Sequence, residues 1–129
     1  MRHLFAALVA FLLILPATQG SGRTGIEKDA ARAPAVEVLV FEHPDCVYCR
    51  VFRRDVLPRY RDAMPADTAP LRFVDVATDD VASIALNGRI ETVPTAVVMR
   101  DGREVERIVG YWGPTNFFKL LSHILARMQ

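Results

Sequence analysis

The spacing of apolar residues changes several times along this chain, and each change marks an expected element. Val36-Glu37-Val38-Leu39-Val40-Phe41 is short, rich in β-branched residues and fully apolar toward its end, as expected of a strand buried on both faces in a sheet centre. After Glu42-His43-Pro44-Asp45 the period lengthens. Val47, Val51, Phe52, Val56 and Tyr60 recur near helical spacing as far as about Met64, and Pro58 is expected to kink or end that helix. Leu71 to Val76 alternates like a second strand. Thr78, Asp79 and Asp80 then supply a cap and an acidic first turn for a second helix ending at Asn87-Gly88.

Thr95 to Met99 reads as a third strand and Glu104 to Val109 as a fourth. Asp101-Gly102 between them is a hairpin signal, so these two strands pair antiparallel. Pro114 opens a last helix with Phe117, Leu120, Leu121, Ile124, Leu125 and Met128 on one face, which is expected to cover the sheet. The predicted order is β-α-β-α-β-β-α, an α/β fold with a four-stranded mixed sheet flanked by helices. A right-handed parallel crossover joins its first two strands.

The N-terminus carries a different pattern. Met1-Arg2-His3 is a short basic start, Leu4 to Leu15 is an apolar run of 12 residues, and Pro16 is followed by small and polar residues. This is the layout of a secretory signal peptide with cleavage near Gly20. A membrane span needs about 20 apolar residues, so an uncleaved anchor is the weaker reading. Residues 21–34 have no apolar period and read as a flexible linker, which leaves 35–129 as the folded domain.

Composition narrows the picture. With 129 residues, 51% of them hydrophobic and 24% charged, the chain has room for one domain with an ordinary core. A formal charge of +1 gives no electrostatic footprint for nucleic acid or an anionic membrane. Removing residues 1–20 takes away only Arg2, so the mature protein is neutral. It is expected to be extracytoplasmic, where thiols tend to be oxidised.

The chain has two cysteines, and they stand together as Cys46-Val47-Tyr48-Cys49. The pair lies where a strand passes into a helix N-terminus, so the first thiol faces unsatisfied backbone N–H groups and the positive end of the helix dipole. Arg50, Arg53 and Arg54 add positive charge nearby, while Asp45 and Glu42 oppose it. Three arginines against two carboxylates predict a lowered pKa for Cys46. Cys49, one turn further in, is expected to stay a buried thiol until needed. In that division of labour Cys46 attacks a partner's disulfide and Cys49 resolves the mixed disulfide. A structural disulfide is an alternative, although so short a loop stabilises by only about 2 kcal/mol. Another is a soft-metal site made by His43, Cys46 and Cys49, a thin ligand set.

Thr92-Val93-Pro94-Thr95 precedes the third strand, and its proline cannot donate to the sheet ladder. Tyr111-Trp112 either packs under the last helix or presents an apolar rim, with packing favoured. Phe117 and Phe118 read as core, and His123 as solvated. Arg59, Arg61 and Asp62 read as a charged surface.

The CxxC after a strand, then Thr92-Val93-Pro94-Thr95, Asp101-Gly102 and Gly110, in that order and spacing, resembles the thioredoxin superfamily from roughly Ala35 to Gln129. More closely, Phe41 to Arg50 and Arg100 to Tyr111 are similar to the periplasmic thioredoxins of bacterial sulfur-oxidation (Sox) systems. The resemblance implies a compact thioredoxin-like fold, a monomer with no cofactor beyond its own redox-active disulfide. Cys46 would be the nucleophile, Cys49 the resolving thiol and Pro94 a cis proline. The backbone at Val93 would bind substrate in an extended form. The Sox-type likeness further implies that the chain keeps a cysteine of the sulfur carrier SoxYZ reduced, with electrons delivered by a membrane thiol transporter. A disulfide oxidant or isomerase is the alternative direction.

The chain departs from the family at three places. Asp45 stands where cytoplasmic thioredoxins have tryptophan, Val47-Tyr48 where they have Gly-Pro, and Val40 where they bury an aspartate under the second cysteine. Asp45, Tyr48, Arg50 and Glu42 are therefore the residues expected to tune the pair, with Glu42 or water as base for Cys49. The first strand and helix of full-length thioredoxin have no counterpart in the pattern of 21–34.

Overall fold

The structure is a computed structural model, and it describes residues 35–64 and 68–129. The expected signal peptide and linker lie outside the described residues. Six regular elements appear: β1 (Val36–Glu42), α1 (Val47–Ala63), β2 (Leu71–Asp75), β3 (Thr95–Arg100), β4 (Arg103–Val109) and α2 (Pro114–Ala126). The sheet order is β2-β1-β3-β4. β1 pairs parallel with β2 and antiparallel with β3, and β3 pairs antiparallel with β4. This is the four-stranded mixed sheet the alternation predicts. β1 and β3 are central and buried on both faces, which is why their sequences run apolar without alternation.

One face of the sheet presents Val38, Val40, Ala96, Val98 and Ile108, covered by Phe52, Val56 and Tyr60 of α1 and by Phe117, Leu121 and Ile124 of α2. The opposite face presents Leu39, Phe41, Val74, Val97 and Met99. The β3–β4 hairpin turns through Asp101 (φ 50°) and Gly102 (φ 76°). Both occupy the left-handed region that a two-residue hairpin turn requires, and Asp-Gly tolerates it at low cost.

Three expectations need correction. α1 does not end at Pro58; it runs unbroken to Ala63. Its buried residues Cys49, Phe52, Val56 and Tyr60 fall on one face on both sides of the proline. Tyr60 anchors the turn beyond it by donating its hydroxyl to the Ala69 carbonyl at 2.6 Å. Tertiary packing therefore outweighs the lost backbone bond.

The second expected helix does not form. Between β2 and β3 only Val81–Ser83 makes a single 3-10 turn. Asp79, read as part of a helix cap, instead accepts from the Asp75 N–H at 2.8 Å, and Asp75 accepts in turn from the Ala77 N–H at 2.8 Å. The chain continues as an irregular strap whose Val81, Ile84, Leu86, Ile90 and Val93 pack onto the second sheet face. Finally, Leu120, expected on the buried face of α2, is 40% exposed.

Candidate functional site around Cys46 and Cys49

Cys46 and Cys49 form a disulfide at the junction of β1 and α1, with their Cα atoms 5.3 Å apart. Cys46 is the N-cap of α1. Its Sγ accepts a hydrogen bond from the Cys49 N–H at 3.0 Å, the role an aspartate or serine oxygen usually plays at that position. A sulfur held there gains most when negatively charged, because the free N–H groups and the dipole both favour an anion. Cys46 is half-buried, whereas Cys49 is 2% exposed. The two sulfurs thus differ in access as the sequence predicts.

The charges around the pair are arranged differently from the count of three arginines against two carboxylates. Arg53 donates from both Nε and Nη2 to the Glu42 carboxylate, the former at 2.8 Å, and its guanidinium lies 3.5 Å from the Phe73 ring centroid. Arg54 holds Asp55 in the same manner, with Nε to Oδ1 at 2.7 Å. That pairing keeps the Asp55 carboxyl below the usual carboxylate range. Arg50 donates to the Pro44 carbonyl at 3.2 Å. Two of the three arginines are thus spent on carboxylates. The favourable field at Cys46 comes chiefly from the helix terminus.

His43 does not join the thiols. Its Nδ1 accepts from the Asp45 N–H at 3.2 Å, and among the described residues no three His, Cys, Asp or Glu side chains converge on a common point. The soft-metal arrangement expected as an alternative is not assembled in this form of the protein.

Val93 and Pro94, far along the sequence, arrive beside Cys46. The Val93 carbonyl oxygen lies 3.6 Å from Cys46 Sγ, and the Val93–Pro94 peptide bond is cis. The disulfide sulfur carries no proton, so this contact becomes a hydrogen bond only when Cys46 is a thiol. Pro94 is buried, its carbonyl accepts from the Gly110 N–H at 2.9 Å, and Thr95 Oγ1 donates to the Thr92 carbonyl at 2.7 Å. β3 is central in the sheet, and Pro94 stands just before its first paired residue, Thr95, so the missing N–H costs the ladder nothing.

An open groove of about 460 Å³ runs from Tyr48 past Thr92, Val93 and Pro94 to Val109, Gly110, Tyr111 and Trp112. No charged side chain lines it. Tyr48 is 66% and Trp112 80% exposed. The aromatic pair after β4 therefore splits its roles. Tyr111 packs edge-on against Phe52, with its hydroxyl 3.4 Å from Asp55, while Trp112 faces solvent at the groove rim. Gly110 sits at φ +74°, and a Cβ there would meet the Trp112 indole nitrogen at 3.6 Å. Sequence reasoning favoured packing for both aromatics and so missed Trp112; its place two residues after a turn glycine was the available signal.

The fold and site have known counterparts. The structure superposes on the periplasmic thioredoxin SoxS of Paracoccus pantotrophus (reduced form) with a TM-score of 0.66, at 24% identity over 73% of this chain and 99% of that one. It superposes on Fasciola hepatica thioredoxin with a TM-score of 0.56, at 22% identity over 70% and 81% of the two chains. In sequence it is 32% identical over 73 residues to an H-type thioredoxin of Fagopyrum esculentum, covering 57% of this chain and 59% of that protein. It is 29% identical over 76 residues to thioredoxin H2-2 of Oryza sativa, covering 57% and 51%. The chain thus spans less than two thirds of the length of these curated relatives. The family profile of the thioredoxin-like domain matches residues 27–125, and the chain belongs to that family.

Proposed function

We propose that the protein is a thiol-disulfide oxidoreductase that works as a reductase of partner proteins outside the cytoplasm. The observation that carries this reading is the difference between the two sulfurs. Cys46 is only half-buried, its Sγ capped by the Cys49 N–H and beside the Val93 carbonyl, while Cys49 is buried. In the reduced protein the Cys46 thiolate attacks one sulfur of a partner disulfide. The partner's S–S bond breaks, a mixed disulfide forms, and the departing partner sulfur takes a proton. Cys49, deprotonated in turn, attacks Cys46 Sγ, closes the Cys46–Cys49 bond and releases the second partner thiol. Two electrons and two protons pass to the partner. The backbone at Val93 and Pro94 receives the partner chain, in an extended form, beside the reacting sulfur.

Residues 1–20 act as the signal peptide and 35–129 as the catalytic domain. Similarity of Phe41 to Arg50 and Arg100 to Tyr111 to periplasmic Sox thioredoxins, together with the fold likeness to SoxS, supports a periplasmic site. It supports a sulfur carrier of the SoxYZ type as target and a membrane thiol transporter as electron source. The test is trapping. Cys49→Ser should accumulate a mixed disulfide with target protein through Cys46, and Cys46→Ser should form none. Turnover retained by Cys46→Ser would overturn the assignment.

A further inference from the structure

Glu104 is the one charged residue buried among the described residues, with a side chain 3% exposed, and it does not face the helices. Along a regular strand, residues three apart point to opposite faces. Here the register shifts between Val98 and Met99: Val98 pairs with Glu106 and Met99 with Glu104, so Val105 is the extra residue of a bulge. The bulge turns Glu104 to the same face as Arg107: their strand partners, Met99 and Val97, both belong to the second core.

There the two side chains close a two-pronged ion pair, Arg107 Nε to Oε1 and Nη2 to Oε2, each 2.6 Å. Every remaining side-chain hydrogen bond of the pair goes to the strap. Glu104 Oε2 accepts from the Asn87 N–H at 2.6 Å, while Arg107 Nη2 donates to the Gly88 carbonyl at 3.1 Å and Nη1 to the Arg89 carbonyl at 3.0 Å. Asn87 Nδ2 donates to the Glu104 carbonyl at 3.4 Å. These bonds grip three consecutive residues of a segment without helix or strand. Four residues later that segment delivers the Val93 carbonyl to Cys46 Sγ. A buried ion pair adds little net stability over an apolar one, and its best use is to fix one geometry.

We propose that Glu104 and Arg107 are positioning residues for the dithiol, clamping the 87–89 backbone so that the Val93 carbonyl stays against Cys46. This rests on the reading of Cys46 as the reacting thiol. A carbonyl oxygen at that sulfur accepts from the S–H and repels the thiolate, so it holds Cys46 back from full ionisation. Loosening the clamp frees the thiolate. The other charged and titratable groups are Arg89 and Glu91 next to the clamp, and His43, Asp45, Arg50 and the Glu42–Arg53 pair next to Cys46; the substitutions at 104 and 107 replace none of them.

The experiment is iodoacetamide alkylation of the reduced full protein, followed at Cys46 by peptide mass spectrometry at pH 6 and pH 9. Glu104→Gln removes the ion pair, and Arg107→Lys keeps the charge but not the fork that reaches Gly88 and Arg89. Either variant should alkylate about threefold faster than wild type at pH 6 and at the same rate at pH 9. Tyr60→Phe, which loosens the far end of α1, should match wild type at both. Unchanged rates in the folded clamp variants, or an equal change in all three proteins, would overturn the proposal. Wild-type protein that fails to reduce insulin disulfides would strike the proposed function and leave the alkylation comparison readable.

Discussion

Arg53 grips both carboxylate oxygens of Glu42, so the acidic residue at the end of β1 faces a guanidinium one helical turn past the dithiol. Glu42 entered as a base for Cys49 because Val40 stands where the family buries an aspartate. Both of its carboxylate oxygens are already engaged by the Arg53 guanidinium, which leaves Glu42 poorly placed to reach Cys49. Glu42→Gln should therefore leave the rate at which Cys49 resolves the mixed disulfide within about twofold of wild type. Its effect on stability should stay below about 1 kcal/mol, since Arg53 is partly exposed and its pairing screened. Stopped-flow measurement of resolution, with a thermal melt alongside, checks both.

Tyr60 reports on the other end of α1. Its hydroxyl is buried against the Ala69 carbonyl, and burial pushes its pKa up to about 12. The unfolded chain has a tyrosine pKa of about 10. Between these values the folded state holds a proton that the unfolded state has lost, so stability falls as pH rises through that window and is intact below it. The loss by pH 12 is on the order of 2 kcal/mol. Denaturant melts from pH 9 to pH 12 should show this decline in wild type, and a shallower one in Tyr60→Phe. Parallel curves would contradict it.

Trp112 is the chain's single tryptophan and stands at the rim of an uncharged groove. Removing so exposed a side chain should cost under about 0.5 kcal/mol of stability. Trp112→Ala should nonetheless raise KM for a protein disulfide several-fold with little change in kcat, because an aromatic rim contributes binding area but touches no reacting atom. In wild type its fluorescence should shift when a target peptide enters. A variant with unchanged KM would show that partners bypass this rim.

The strands were legible because β1 and β3 lie between neighbours and must be apolar on both faces, and the hairpin was legible because Asp101-Gly102 leaves few other turns open. The dithiol was legible because its spacing is local to four residues, whereas the cis form of Pro94 followed only from the family resemblance. What escaped depends on partners distant in sequence. Thr78, Asp79 and Asp80 look like a helix start, yet Asp79 closes a turn by accepting from the Asp75 N–H, and the strap gains its packing from β1, β2 and β3. The alternation of β4 gives no sign of the bulge at Val105, so the pairing of Glu104 with Arg107 emerged only with the register. The arginines near the cysteines were countable, but which carboxylate each one holds was not.

As a reductase, the Cys46–Cys49 pair must donate electrons to partner proteins. Equilibrating residues 21–129 with thiol buffers of defined potential measures this directly. A midpoint near the roughly −270 mV of thioredoxin is the predicted result, and it fits a reductase recharged from a membrane donor. A midpoint near the roughly −120 mV of a strong oxidant would contradict the account and make the chain a donor of disulfides.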